Sequence, residues 1–327
     1  MPPAESFGVT SQMKQRVLSI VDGALLRLAV EAPGALRWAS WNRTDGTALL
    51  AGDHGSLFEY SDGALKALSS GTSENLRCVD IHPDGGFAYA CGNSGTILRV
   101  EGGSGKVLHS DARESLRRLA WNKTGGRALV VGNGGVAYTL SPRGELASAS
   151  GSETHLRSIA WSPKEDAALV AGNCFRDSIG GLTPSPNLFE LRGTTLNEIS
   201  DLEGSRADLT SASWRPDGST CLLAGFDQTW HTAALLSFSQ GRLAEVNWGE
   251  EKLFPTACSW NPSGSYALIG TSLLTAEEGL AAIYRYDQDG RITKVDELAG
   301  YGVSCIAWKD ERTALVTCSR HVRAFSS

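Results

Sequence analysis

A six-residue segment recurs along the whole of this chain, and its spacing limits what the chain can fold into. Its second residue is always Arg, Thr or Ser, and its sixth residue is tryptophan in every copy but one. The copies are Leu36–Trp41, Leu76–Ile81, Leu116–Trp121, Leu156–Trp161, Leu209–Trp214, Pro255–Trp260 and Val303–Trp308. Successive copies start 40, 40, 40, 53, 46 and 48 residues apart. Repeats of this length built from short β-type segments are the signature of propeller blades rather than of helical solenoids.

Each complete repeat has room for four strands, which we label A to D in sequence order. In the first repeat they are Leu36–Trp41, Thr47–Ala51, Ser56–Tyr60 and Ala64–Leu68. The turns between strands A and B are rich in Asn, Asp, Pro and Gly, which favour tight turns. The sequence therefore predicts an all-β fold, a seven-bladed β-propeller of four-stranded antiparallel blades.

The last repeat is too short for four strands, so a strand from elsewhere must complete it. Ala24–Val30 has the character of a strand, and pairing it with the C-terminal blade would close the ring and remove an exposed edge. Arg16–Val21 and His321–Phe325 both suit the third position of that blade. We expect His321–Phe325 to take it, with Arg16–Val21 packed outside or only partly ordered. The predicted organisation is a flexible N-terminal tail at residues 1–15 and one propeller domain at residues 16–327.

Composition limits the classes of partner and the compartment. The net charge is −6, from 36 acidic and 30 basic residues, which gives no global argument for nucleic acid. The sequence has no apolar stretch of about 20 residues, the length that spans a bilayer, and its first residues do not resemble a secretory signal. The cysteines are odd in number, seven, and form no CxxC pair. We expect buried reduced thiols and a cytoplasmic protein, with Cys174, in a long loop, as the thiol to test for reactivity.

The A–B segments resemble the beginning of WD40 repeats over about residues 16–327. Examples are Ser158-Ile-Ala-Trp-Ser-Pro163 and Ser211-Ala-Ser-Trp-Arg-Pro-Asp-Gly218. The repeats depart from that family because strand C does not end in Trp-Asp (Glu59-Tyr60 stands there in the first repeat) and the chain contains no Gly-His pair. The hydrogen-bonded tetrad of WD40 blades is therefore expected to be absent. The resemblance implies a seven-bladed propeller that serves as an interaction platform, although a fold alone does not assign a function.

Four consecutive repeats carry arginine at the second position of the recurring segment. We call Arg37, Arg77, Arg117 and Arg157 the arginine arc; Thr210, Thr256 and Ser304 take the same position in the other repeats. This position is expected at the mouth of the central channel, at the end of the ring where the B–C loops lie (the B–C face). Guanidinium groups suit carboxylates and phosphates. A purely structural role is the alternative, because Glu31, Glu74, Glu114 and Glu153 precede the four arginines and could pair with them.

Extra chain length is concentrated on the same face. The B–C connection has three residues in the first repeat, but fourteen at Asn173–Pro186, eight at Phe226–Ala233 and eleven at Thr271–Ala281. Loops on a rigid scaffold are where recognition is usually built. The three long loops are therefore expected to wall a cleft opposite the arginine arc.

The remaining candidate residues also fall near the B–C face. They are His54, His155, His231 and His321, with Asp53 and Asp227 beside them, and Trp230 and Trp248 as exposed indoles in loops. No HExxH or His-x-His spacing accompanies the histidines, so we predict no metal site and no cofactor. No arrangement of Ser, His, Asp, Lys or Cys has the form of a known catalytic motif.

The predicted function is therefore an interaction scaffold, not an enzyme, that binds a protein or peptide on its B–C face. The candidate binding residues are Arg37, Arg77, Arg117, Arg157, His54, His155, Trp230, His231 and Trp248. An anionic small-molecule binding protein or enzyme, with its site in a funnel lined by the arginine arc, is the alternative. Neither nucleic acid nor membrane is expected as a partner.

Overall fold

The structure is a computed structural model of the whole chain. It describes residues 14–21, 24–31, 34–110, 114–178, 181–184, 186–199, 207–227, 231–249, 253–273, 280–299 and 302–319. Within these ranges the helices are 3-10 turns at Asp53–Gly55, Asn93–Gly95 and Asn133–Gly135. No helix among the described residues is long and apolar enough to cross a membrane.

The described residues form thirty strands, numbered here in chain order. They are β1 (Lys14–Val21), β2 (Ala24–Glu31), β3 (Leu36–Trp41), β4 (Ala48–Gly52), β5 (Leu57–Ser61), β6 (Ala64–Ala67), β7 (Leu76–Ile81), β8 (Ala88–Gly92), β9 (Ile97–Glu101), β10 (Ser104–His109), β11 (Leu116–Trp121), β12 (Ala128–Gly132), β13 (Ala137–Leu140), β14 (Leu146–Ala149), β15 (Leu156–Trp161), β16 (Ala167–Gly172), β17 (Phe175–Ser178), β18 (Gly181–Pro184), β19 (Leu188–Arg192), β20 (Thr195–Glu198), β21 (Ala207–Trp214), β22 (Cys221–Asp227), β23 (Thr232–Ser239), β24 (Arg242–Glu245), β25 (Leu253–Trp260), β26 (Tyr266–Leu273), β27 (Leu280–Asp287), β28 (Ile292–Ala299), β29 (Gly302–Trp308) and β30 (Thr313–Ser319).

These strands pair as four-stranded antiparallel sheets, which we number by the repeat that each one contains. Sheet 1 is β3-β4-β5-β6, sheet 2 is β7-β8-β9-β10, sheet 3 is β11-β12-β13-β14, sheet 4 is β15-β16-β19-β20, sheet 5 is β21-β22-β23-β24, sheet 6 is β25-β26-β27-β28 and sheet 7 is β29-β30-β1-β2. A separate hairpin, β17-β18, interrupts sheet 4. The recurring segment is the first strand of every sheet.

The sheets are the blades of a β-propeller, and tryptophans of the recurring segment tie one sheet to the next. Trp161 Nε1 donates to the carbonyl of Ala120 at 2.9 Å, and Trp214 Nε1 to that of Ala160 at 3.2 Å. Trp41 Nε1 of sheet 1 donates in the same way to the carbonyl of Ala307 in sheet 7, at 2.9 Å. The prediction of an all-β propeller of four-stranded antiparallel blades is confirmed.

The N-terminal strands enter sheet 7 in a way that the sequence did not predict. Ala24–Val30 lies within β2 at the outer edge, as expected, but β1 lies between β2 and β30 and pairs with both. The expectation that Arg16–Val21 packs outside the sheet is wrong. Because Val21 of β1 pairs with Ala24 of β2, both strands enter the sheet together, and the inner position lets β1 pair its backbone groups on two sides. Residues 321–325 lie outside the described residues.

The core lies between neighbouring sheets and contains the cysteines. Cys78, Cys91, Cys221, Cys258 and Cys305 are 5% exposed or less, and none of the seven cysteines forms a disulfide. The prediction of buried thiols outside disulfides is confirmed. Cys174, singled out for a reactivity test because of its place in a long loop, is also buried, at 4% exposure.

Candidate functional site

A β-bulge in the first strand of every four-stranded sheet positions the residues of the arginine arc. In each sheet the pairing of the first two strands slips at the second residue of the recurring segment. The residues skipped by the slip are Arg37, Arg77, Arg117, Arg157, Thr210, Thr256 and Ser304. A bulge leaves its extra residue out of the ladder and turns the side chain in a new direction, which is why bulges are common beside functional sites.

The bulge lies at the end of the sheet where strands B and C are connected. Leu36 pairs with Gly52, so the start of strand A lies beside the end of strand B. The equivalent pairs are Leu76 with Gly92, Leu116 with Gly132 and Leu156 with Gly172. A Cβ atom at Gly92 would collide with the carbonyl oxygen of Asn75, so glycine is required for this close approach. The close approach brings each arginine next to the residue that follows the glycine.

That following residue is the hydrogen-bond acceptor of each arginine. Nε of Arg77 donates to Oδ1 of Asn93 at 2.9 Å, and Nε of Arg117 donates to Oδ1 of Asn133 at 2.9 Å. The same contact joins Arg157 to Asn173 at 2.8 Å. These amides lie sixteen residues after their arginines. Asn93 and Asn133 accept from Arg77 and Arg117 in place of Glu74 and Glu114. The pairing of Glu153 with Arg157 stays a prediction, and the side chain of Glu31 lies outside the described residues.

In sheet 1 the acceptor is a carboxylate rather than an amide. Nε and Nη2 of Arg37 donate to the two carboxylate oxygens of Asp53 at 2.5 and 2.7 Å, a bidentate ion pair. Nη1 of Arg77, in the next sheet, is 4.0 Å from Oδ1 of Asp53. Asp53 therefore compensates charge at one end of the arc.

The arginines also affect one another. The pKa of Arg77 falls to about 10, because burial removes water from its guanidinium and because Arg37 and Arg117 are close; Asp53 opposes the fall. The pKa of Arg117 is lowered by burial, then by Arg157 and Arg37. The pKa of Arg157 is lowered by burial and by Arg77, while Asp208 opposes this. The four cations therefore form one cluster whose members repel each other.

Backbone and side-chain contacts hold the turns beside the arc in place. The amide of Asn93 donates to the carbonyl of Asn75 at 2.9 Å, and Asp53, Asn133 and Asn173 make the equivalent bond. The amide of His54 donates to Oδ1 of Asn75 in the next sheet at 2.8 Å. The amide of Gly134 donates to Nδ1 of His155 at 2.9 Å. Neighbouring sheets are thus linked at the arc, which keeps its geometry rigid.

The other predicted binding residues differ in burial and in their contacts. His54 and His231 are exposed and have positive φ angles of 55° and 53°, whereas His155 is half-buried in its contact with Gly134. Trp248 is 8% exposed, donates from Nε1 to the carbonyl of Leu253 at 2.8 Å and packs on Tyr284. The expectation of an exposed indole at Trp248 is wrong, because this side chain fills the space between sheets 5 and 6. Trp230 and His321 lie outside the described residues.

Where the structure describes it, the extra chain length on the B–C face lengthens strands or forms a hairpin. β22 continues to Asp227 and β23 begins at Thr232, and β26 continues to Leu273 before β27 begins at Leu280. In sheet 4 the insertion contains the hairpin β17-β18. The described parts of the three predicted long loops are therefore strand extensions or a hairpin. The described residues contain no group of three His, Cys, Asp or Glu side chains arranged to hold a metal.

Comparison with known proteins agrees with the fold. Residues 64–98 match the WD40 family model, described as "WD domain, G-beta repeat". One repeat is similar to WD40. The hydrazine synthase of Kuenenia stuttgartiensis has a similar fold, with a TM-score of 0.68 over 90% of this chain and 97% of that chain, at 15% sequence identity. At this identity the similarity concerns the fold alone. The search of curated proteins returned no match.

Sequence reasoning found the arginines but missed their acceptors. A glycine followed by Asp or Asn ends strand B in four consecutive repeats, at Gly52-Asp53, Gly92-Asn93, Gly132-Asn133 and Gly172-Asn173. This second repeating signal, in register with the arginines, could have identified the pairs. The close approach of two backbones that creates them is not visible in the sequence.

Proposed function

We propose that this protein is a non-catalytic scaffold that holds a protein or peptide partner on its B–C face. In this proposal the seven sheets are the blades of one closed ring, a single domain over residues 16–327. The bond from Trp41 in sheet 1 to Ala307 in sheet 7 supports closure, as does the union of N-terminal and C-terminal strands in sheet 7. WD40-type propellers commonly bind protein partners, which supports the class of function.

The arginine arc is the observation that carries the choice of face. Four cations stand on bulges of rigid strands, and two of them, Arg117 and Arg157, donate to amide oxygens that bring no compensating charge. Arginine is enriched at protein interfaces, where its planar group binds acceptors in a defined geometry. The hairpin β17-β18 and the lengthened strands of sheets 5 and 6 rise on the same face. They provide walls beside the arc.

The proposed binding surface contains the arginine arc with His54, His155 and His231, and a contact of Trp230 with the partner is part of the proposal. Trp248 is excluded from direct contact because it is buried. The free thiols support a reducing compartment, and we propose the cytoplasm, because disulfides are rare there.

The proposal can be tested by blocking one face at a time. Ser94 is exposed on the B–C turn of sheet 2, and Lys123 is exposed on an A–B turn at the opposite end of sheet 3. Because the native thiols are buried, Ser94→Cys and Lys123→Cys each provide one reactive site for a maleimide–polyethylene glycol label. Peptides selected from a displayed library against the wild-type protein are then measured for binding to both labelled variants.

We expect the label on Ser94→Cys to abolish peptide binding and the label on Lys123→Cys to leave it unchanged. The opposite pattern would contradict the choice of face. Failure to select any peptide, together with stabilisation by a small anion, would favour the small-molecule alternative over the scaffold.

A further inference from the structure

The arginine arc is not evenly neutralised, and this asymmetry indicates what its partner carries. The acceptor is charged in sheet 1, where Asp53 binds Arg37, and uncharged in sheets 2, 3 and 4, where Asn93, Asn133 and Asn173 take its place. Positive charge is therefore least compensated around Arg117, because Asp53 lies 4.0 Å from Arg77 and the carboxylate of Asp208 acts on Arg157.

Three of the four acceptors, Asp53, Asn93 and Asn133, have the same local structure, so the difference between them is one of charge. Asp53, Asn93 and Asn133 each begin a 3-10 turn, and the middle residue of each turn is left-handed, with φ of 55°, 53° and 60°. The amides of these acceptors donate to Ala35, Asn75 and Ser115 at 2.9 to 3.0 Å. The position that follows the glycine at the end of strand B thus accepts either Asp or Asn. It is Asp in sheet 1, where the carboxylate neutralises Arg37.

The uncharged acceptors orient the arginines without satisfying them. Asn133 accepts from Nε of Arg117 and also from Nη1 of Arg157 in the next sheet, at 3.2 Å. Within the described residues Arg157 has one further acceptor, Oδ1 of Asn173. Arg117 donates there to Asn133 alone. The remaining guanidinium nitrogens are available to a ligand, and the fixed Nε contacts reduce the entropy lost when one binds.

We propose that Arg77, Arg117 and Arg157 bind carboxylate side chains of an acidic peptide segment of the partner. This inference rests on the proposed scaffold function and specifies the chemistry of its partner. Planar guanidinium groups spread along an arc on successive sheets suit several carboxylates along an extended chain better than one compact anion. Mutual repulsion among the arginines is relieved when the carboxylates bind, which adds to the preference for an anion.

Exchanging Asp and Asn at the acceptor positions changes their charge with almost no change of shape, which tests the proposal. Asn93→Asp with Asn133→Asp extends the charge pattern of sheet 1 to sheets 2 and 3, while Asp53→Asn removes the existing counter-charge. Asn197→Asp with Gln240→Glu adds the same two charges at exposed positions on outer parts of sheets 4 and 5, as a control. The probe is a fluorescein-labelled octaglutamate peptide, with octaglutamine for comparison, and binding is measured by fluorescence anisotropy at low salt.

We expect Asn93→Asp with Asn133→Asp to weaken octaglutamate binding by about tenfold or more, because each new carboxylate competes with the peptide for a guanidinium. Asp53→Asn should strengthen binding roughly threefold, and the control pair should change it little, because exposed distant charges are screened. Circular dichroism and the melting temperature check that each variant is folded.

Several results would overturn the inference. They are equal affinity of octaglutamate for all variants, no preference over octaglutamine, or no binding to the wild type. A phosphoserine peptide that binds far more tightly than octaglutamate would assign the arc to phosphate, and citrate binding as tightly as the peptide would assign it to a free anion. If peptides selected in the face-blocking experiment bind the Asn93→Asp, Asn133→Asp variant normally, the acidic partner is excluded while the scaffold function stands.

Discussion

Sheets 1 to 4 and sheets 5 to 7 contain the same bulge but use its residue differently. In sheets 5 and 6 the bulge residue is threonine, and Thr256 Oγ1 donates to the carbonyl of Val303 in sheet 7 at 2.7 Å. Thr210 Oγ1 makes the equivalent bond to the carbonyl of Thr256, at 3.1 Å. In sheets 1 to 4 the bulge residue is arginine, which donates to the residue that follows strand B in its own sheet. The backbone thus fixes the position, and the residue type determines which acceptor the side chain reaches.

Cys174 marks the boundary between these two groups of sheets, and it gives the largest expected effect. It follows Asn173, the last acceptor of the arc, and its amide donates to Oδ1 of Asp208 in sheet 5 at 2.9 Å. Burial and the nearby carboxylate of Asp208 raise the pKa of the Cys174 thiol to about 12. At pH 8 the thiolate fraction should be roughly a thousandfold below that of an ordinary cysteine.

We therefore expect Cys174 to react with iodoacetamide roughly a thousandfold more slowly than the exposed thiol of Ser94→Cys. Mass spectrometry of digested samples, taken over time, measures both rates in one protein. Comparable rates would show that the boundary between sheets 4 and 5 is open.

Removing a hydroxyl from the second group of sheets should reduce stability. In Thr256→Val the carbonyl of Val303 loses its donor, which costs about 1 to 3 kcal/mol when the group is buried. Thr293→Val in the exposed strand β28 is the control, because it has the same change of side chain at an exposed position. Urea unfolding measures the free energy of both variants, and an equal change in the two would remove the stabilising role of Thr256.

A smaller effect should come from Asp80, which joins the first three sheets. Its carboxylate accepts from Ser40 Oγ at 2.8 Å and from the amide of Trp121 at 2.9 Å, whereas Ser213 accepts the equivalent bond in sheet 5. Burial raises the pKa of Asp80. The carboxyl group of Asp80 therefore binds its proton more tightly in the folded state than in the unfolded state. The stability that this protonation contributes is lost as pH rises from about 4 through the raised pKa.

The free energy of unfolding of the wild type should therefore decrease relative to that of Asp80→Asn as pH rises through this window. Urea unfolding at a series of pH values gives this difference directly. A difference that does not change with pH would mean that Asp80 has an ordinary pKa in the folded protein.

The repeating architecture could be predicted from the sequence because each copy of the recurring segment is a short, local pattern. The recurring tryptophans and the Asp-Gly and Asn-Gly turns mark each strand, and Ala24–Val30 was correctly identified as the outer strand of sheet 7. The inner position of Arg16–Val21 and the burial of Trp248 depend on contacts between distant segments, which periodicity does not report. The same reason explains why the arginines were found and their acceptors, Asn93 and Asn133, were not.

We propose that the arginine arc serves binding and contributes little to stability. The direct measurement is to replace Arg77 and Arg117 with threonine, the bulge residue of sheets 5 and 6, and to measure urea unfolding and octaglutamate binding on the same protein. We expect a free energy of unfolding within about 1 kcal/mol of the wild type, because desolvation and repulsion offset the contacts that are lost, together with loss of octaglutamate binding. Strong destabilisation with unchanged binding would show instead that the arginines hold the sheets together and that the partner binds elsewhere.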